Sequence, residues 1–155
     1  DAEKFIVDIF SKLDSYIDLD FKRVNSPYEA MIRIYKTDSW GDTTGLMNEE
    51  LNSLNYRVNI AWSESKFSFP KLKKYPSLSV DSAFTIAHEI GHALGLEHSG
   101  CGQYCKFNIN PDDVRLNNKD TVMSYNNLLY SRENSFFTEL DIKALRQIWG
   151  VEKVN

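Results

Sequence analysis

The sequence predicts an α+β domain, three helices packed with one small sheet, and three observations predict it. Apolar residues recur at helical spacing near the start, the middle and the end of the chain. Short stretches between residues 19 and 62 alternate apolar and polar residues, as half-buried strands do. The 155 residues, 42% hydrophobic and 13% aromatic, supply one core and leave little room for a second. That composition also excludes a disordered chain.

Residues Ala2 to about Leu19 place Phe5, Ile6, Ile9, Phe10, Leu13, Tyr16 and Ile17 on one side of a helix, with charged residues between them. Leu19 to Val24 and Ala30 to Lys36 read as strands, the second with Ile32 and Ile34 flanking Arg33. Gly45-Leu46-Met47 reads as a short strand among turn formers. Tyr56 to Trp62 reads as a longer one, setting Val58, Ile60 and Trp62 against Arg57, Asn59 and Ala61. A polar stretch with Pro70 and Pro76 follows, and its lysines, Lys66, Lys71, Lys73 and Lys74, read as a solvated loop, the other reading being attraction for substrate or a surface. The second helix begins at about Val80 behind a cap from Ser79 or Asp81 and ends near Gly95. From His98 to Phe137 the chain is rich in Asn, Asp, Ser and Gly and reads as loops. Thr138 caps the last helix, with Asp141 as a weaker form of the capping box. Ile142, Leu145, Ile148 and Trp149 give this helix its apolar side, and Gly150 stops it.

The charge balance, 18 basic against 22 acidic side chains and a net charge of -4, disfavours a nucleic-acid binder, which needs a basic face. No apolar run approaches the roughly 18–20 residues that span a bilayer. The opening Asp1-Ala2-Glu3-Lys4-Phe5 has neither the basic stretch nor the apolar core of a signal peptide. The expectation is therefore a mature form from which any export segment and pro-segment have been removed. No repeat or linker marks a boundary, so residues 1–155 read as one domain. Cys101 and Cys105 lie close together among glycines, and read either as a small disulfide loop or as two free thiols.

All three histidines lie in His88-Glu89-Ile90-Gly91-His92-Ala93-Leu94-Gly95-Leu96-Glu97-His98. His88 and His92 stand one helical turn apart on the same face, where two imidazoles can converge on one zinc ion. A continuing helix would carry His98 roughly 9 Å further along the axis and onto another face. Gly95 can take positive φ, end the helix and turn the chain back. Three neutral imidazoles then leave room for water, the arrangement of a catalytic zinc. Glu89, beside the first ligand, can move a proton between water and a leaving amine.

Followed by Thr121-Val122-Met123-Ser124-Tyr125, this run resembles the metzincin clan of zinc metallopeptidases, whose signature is H-E-x-x-H-x-x-G-x-x-H with a downstream Met-turn. Ala87 and Ser99 around the motif resemble matrixins, and Phe136 to Asp141 with Ile148-Trp149-Gly150 is similar to the closing helix of matrixins and serralysins. The likeness covers most of residues 15–150 and is sharp from 85 to 150. It implies a small twisted, mostly parallel sheet with an antiparallel edge strand and three helices. It also implies an upper subdomain, 1–98, a lower one, 99–155, and a cleft between them. It further implies one catalytic zinc on His88, His92 and His98, with Glu89 activating zinc-bound water and Met123 as an apolar base beneath the metal. Asp141 is expected to hydrogen-bond the Met-turn backbone.

Substrate is expected antiparallel to an edge strand near Gly45, Leu46 and Met47, with Leu128, Leu129 and Tyr130 walling the pocket after the cleaved bond. Those three read equally as packing under a loop. Tyr125 departs from matrixins, which have proline there. It is similar to the tyrosine of serralysins and astacins, which supports the oxyanion. With no histidine to spare, a second zinc is not expected. Calcium at Asp38, Asp42, Asp112 and Asp113 is one reading and exposed turn carboxylates the other, since no regular calcium loop is present. Peptide deformylases, with a cysteine ligand, and thermolysin-like enzymes, with a distant glutamate, match less well. The expected function is a monomeric, secreted zinc endopeptidase acting on protein or peptide, a setting that favours the Cys101–Cys105 bridge. The alternatives are an inactive zinc-binding module and a non-peptide zinc hydrolase.

Overall fold

The computed structural model describes residues 1–38, 44–52, 55–65, 67–98, 117, 119–124 and 136–153. The first helix, α1 (Ala2–Asp14), buries Phe5, Ile9 and Leu13 along one stripe, as its apolar spacing dictates. It stops five residues before the expected Leu19. The Ser15 hydroxyl donates to the Lys12 carbonyl, and Ile17 leaves the helix to bridge Val151 near the other end of the chain. Tertiary pairing overrides the helical pattern there.

Leu19 to Val24, expected as a strand, is not one. Among the described residues it has no ladder partner, and the Phe21 N–H goes to the Asp14 carboxylate at 2.9 Å. The alternation reflects packing instead: Leu19 and Phe21 lie against the core, and Phe21 meets Phe10 at 5.0 Å between ring centroids.

Three strands follow, β1 (Ile32–Lys36), β2 (Gly45–Asn52) and β3 (Asn55–Trp62), in the spatial order β1-β3-β2. β1 pairs parallel with β3, setting Ile34 beside Ile60. β2 pairs antiparallel with β3, from Gly45 beside Trp62 to Asn52 beside Asn55, and forms an edge. β2 is longer than the three residues expected, because Asn48, Glu49 and Glu50 are weak strand formers that pairing along β3 carries into the sheet. The inward residues of β3, Val58, Ile60 and Trp62, are buried. On the opposite face Arg33 and Asn59 both reach Glu50.

The segment before the second helix is partly anchored. Tyr75 and Leu78 are buried, and Lys74 pairs with Asp8 of α1. Ser79 caps the second helix, α2 (Val80–Ala93), by accepting from the Ser82 N–H at 3.1 Å. α2 packs against β2 and β3 and is buried without a break from Ser82 to Gly91. The last helix, α3 (Glu139–Trp149), starts at Thr138 with the full capping box to Asp141 and ends at Gly150, whose φ is +90°. Among the described residues no helix is long and apolar enough to cross a membrane.

Candidate metal centre

α2 carries His88 and His92 on one face, and a tight helix end returns His98 to them. The Gly95 N–H donates to the His92 carbonyl and the Leu96 N–H to the Gly91 carbonyl, both at 2.9 Å, with Gly95 at φ +92°. These are the two bonds of a Schellman motif, and a side chain at Gly95 would be strained in that conformation. His98 Nε2 then lies 3.1 Å from His88 Nε2 and 2.9 Å from His92 Nε2. An ion bound tetrahedrally at 2.0–2.1 Å separates its ligand atoms by about 3.3 Å, so the three nitrogens already stand within a few tenths of an ångström of that spacing. Among the described residues this is the one group of His, Cys, Asp or Glu side chains close enough to hold a metal.

The rings are oriented from behind. His88 Nδ1 lies 2.7 Å from the Val122 carbonyl and His92 Nδ1 2.8 Å from the Leu96 carbonyl. A carbonyl only accepts, so each Nδ1 carries the proton and each Nε2 offers its lone pair. Burial also holds the imidazoles of His92 and His98 neutral. It lowers the His92 pKa against the pull of the Leu96 carbonyl, and it lowers that of His98 to about 4, helped by His92. Neutral imidazoles with inward Nε2 atoms fit zinc.

Glu89 is 7% exposed. Burial pushes its pKa up to about 7, opposed by a hydrogen bond from the Met47 main chain. The strand geometry explains that bond. The Ser63 N–H donates to the Thr44 carbonyl, so Thr44, Leu46 and Asn48 turn their main-chain groups toward β3. Gly45 and Met47 turn theirs to the open edge, beside Glu89. Leu46, 52% exposed, presents neither main chain nor side chain to this edge, so the structure does not bring it to the site with its neighbours.

Beneath the histidines lie Thr121, Val122, Met123 and Ser124, all buried. Asp141, fully buried at the start of α3, accepts from the Val122 N–H at 3.0 Å, from the Thr121 hydroxyl and from the Thr138 N–H at 2.9 Å. Burial pushes its pKa up against these bonds. Asp141 thereby fixes the turn whose Val122 carbonyl orients His88. A Cβ on Gly91 would lie 2.6 Å from Met123 Sδ, so glycine lets the methionine approach the histidine helix.

Gly91 and the Val122 and Leu96 carbonyls were not expected in the site. A glycine in mid-helix, about 1 kcal/mol worse than alanine, was the available signal for Gly91. Main-chain carbonyls leave no mark in a sequence. Tyr125, Leu128, Leu129, Tyr130, Cys101, Cys105, Asp42, Asp112 and Asp113 lie outside the described residues, and Asp38 is exposed.

Comparison with known proteins accords with this geometry. The family model for the matrixin peptidases matches residues 1–131, most of the chain and the whole three-histidine motif. Neither a curated protein nor a solved structure matches the chain.

Proposed function

The chain belongs to the matrixin family of zinc metallopeptidases, and from that premise we propose that it is an endopeptidase in which Glu89 carries the proton. The observation that carries this reading is the convergence of three Nε2 atoms, two of them on rings oriented by main-chain carbonyls, with a buried carboxylate beside a sheet edge. His88, His92 and His98 would hold zinc, which supplies a Lewis acid for a scissile carbonyl and acidifies water. Glu89, with its pKa pushed up to about 7, is poised to take a proton from the attacking water and deliver it to the leaving amine. The low exposure of Glu89 keeps bulk water from competing for that proton.

An extended peptide would pair with the main chain of Gly45 and Met47, crossing a cleft between residues 1–98 and 99–155. Tyr125, two residues past Met123, would donate to the oxyanion. Casein digestion tests the reading. It should stop on treatment with a zinc chelator and return when zinc is added back. Digestion that survives complete zinc removal would exclude the proposed metal chemistry, and failure of the loaded protein to cut any peptide would favour an inactive binding module.

A further inference from the structure

β2 reaches the site at an unusually small distance. A Cβ built on Gly45 would stand 2.6 Å from Glu89 Oε1, 3.0 Å from Glu89 Cγ and 2.5 Å from Thr85 Cγ2. Ordinary contacts of a Cβ begin near 3.4 Å, so a side chain here must displace something. Backbone conformation does not explain the glycine, since among the described residues only Gly95 and Gly150 take positive φ. The missing side chain serves the contact alone.

Thr85 stands one turn before Glu89 on α2 and is 7% exposed. It is β-branched, so its χ1 is stiff, and its hydroxyl meets that of Thr44 at 3.4 Å. The glutamate is the softer neighbour, with three rotatable bonds, and it would yield first. The Met47 main-chain N–H, turned to the same edge of β2, pulls the pKa of that carboxylate down against burial.

We propose that Gly45 and the Met47 N–H form a seat that fixes the Glu89 carboxylate, so that the edge strand positions the proton carrier as well as the substrate. The proposal rests on reading Glu89 as that carrier. Gly45 is a positioning residue here, because it acts through Glu89 and touches no reacting atom. A strand that only paired with substrate would tolerate alanine, which keeps the same N–H and C=O.

Gly45→Ala and Gly45→Ala/Thr85→Ser, compared on one peptide, test the seat. Serine removes the methyl that the new Cβ would strike and leaves the 2.6 Å conflict with Glu89 in place. Both variants should lose about 10- to 100-fold in kcat, because proton transfer is sensitive to misplacement by about an ångström. KM, zinc content and calorimetric affinity for an extended uncleavable peptide should stay at wild-type values. The double variant should recover any thermal stability lost by the single one, and it carries the test if the single variant does not fold. Unchanged kcat in both variants, recovery of kcat on adding Thr85→Ser, or a loss confined to KM, peptide affinity or zinc content overturns the proposal. Glu89→Gln, assayed beside them, separates the two readings: if it cleaves as fast as wild type, Glu89 is not the carrier and the parent reading fails instead.

Discussion

Helices α1 and α2 have nearly the same length but are constrained in different ways. α1 touches the core along one stripe, Phe5, Ile9 and Leu13, and what lies between them faces outward or packs partially. α2 is buried at ten successive positions, with the sheet on one side and Met123 against Gly91 on another. A stripe asks only for apolar volume at a period, so many sequences satisfy it. A helix enclosed on all sides asks for a particular residue at each place, and there His88, Glu89 and His92 are found. Substitutions in α1 should therefore move stability and spare turnover, and substitutions of site groups on or beside α2 should do the reverse.

The largest expected effect is on turnover at α2. Glu89→Gln keeps the shape of the side chain and removes the proposed base, so kcat should fall about 10²–10⁴-fold with zinc content unchanged. Metal analysis beside kinetics checks it, and wild-type turnover would falsify the assigned role. The pH dependence follows from the sign of the shift. Burial pushes Glu89 up to about 7, and a nearby cation pulls a carboxylate pKa down. The base works ionised, so activity should fall as pH drops through an acid limb below about 7 in the zinc-loaded enzyme. In zinc-free protein the Glu89 side chain should titrate near 7 by NMR, and a titration near 4.5 would remove burial as the cause.

Next comes Tyr125→Phe. Loss of one oxyanion donor should lower kcat by about 10²–10³ while KM and zinc content hold. Equal kcat values would make Tyr125 a packing residue.

Leu13→Ala reverses the pattern. Leu13 is fully buried in the α1 stripe, far in sequence from the histidines. Removing its side chain should cost about 2–5 kcal/mol of stability in denaturant titrations, with kcat unchanged for the protein that remains folded. A large loss of kcat at constant folded fraction would show α1 coupled to the site and would break the comparison.

The same contrast explains what could be read from the sequence. The histidines and Glu89 were legible because helical spacing and a glycine stop place them by local geometry alone. The Ser79 and Thr138 caps were legible for the same reason, since a cap is satisfied within three residues. What failed depends on partners distant in sequence. Ile17 leaves α1 because Val151 pairs with it, and Leu19 to Val24 alternates like a strand but has no neighbour to pair with among the described residues. The full length of β2 was hidden by polar residues, and the seat at Gly45 by the fact that a missing side chain leaves no pattern.

The smallest expected effect lies at a polar anchor in the middle of α1. Asp8 accepts from the Tyr75 hydroxyl and from Lys74 Nζ, tying the helix to the segment before α2. The Lys74 bond first, then the Tyr75 bond, holds the Asp8 pKa below the usual carboxylate value. A carboxylate whose folded pKa is depressed contributes stability above its unfolded pKa, and that contribution disappears as pH falls through the folded value. Asp8→Asn should thus lower Tm slightly at pH 7, by at most about 3 °C, since the Lys74 partner is well exposed and screened by solvent. The deficit should shrink as pH falls below the ordinary carboxylate range and vanish once pH lies below the depressed folded-state pKa, where the wild-type carboxyl is itself neutral. A deficit that persists unchanged in acid would mean that asparagine disturbs packing around Tyr75. A loss of kcat would mean that α1 reaches the site after all.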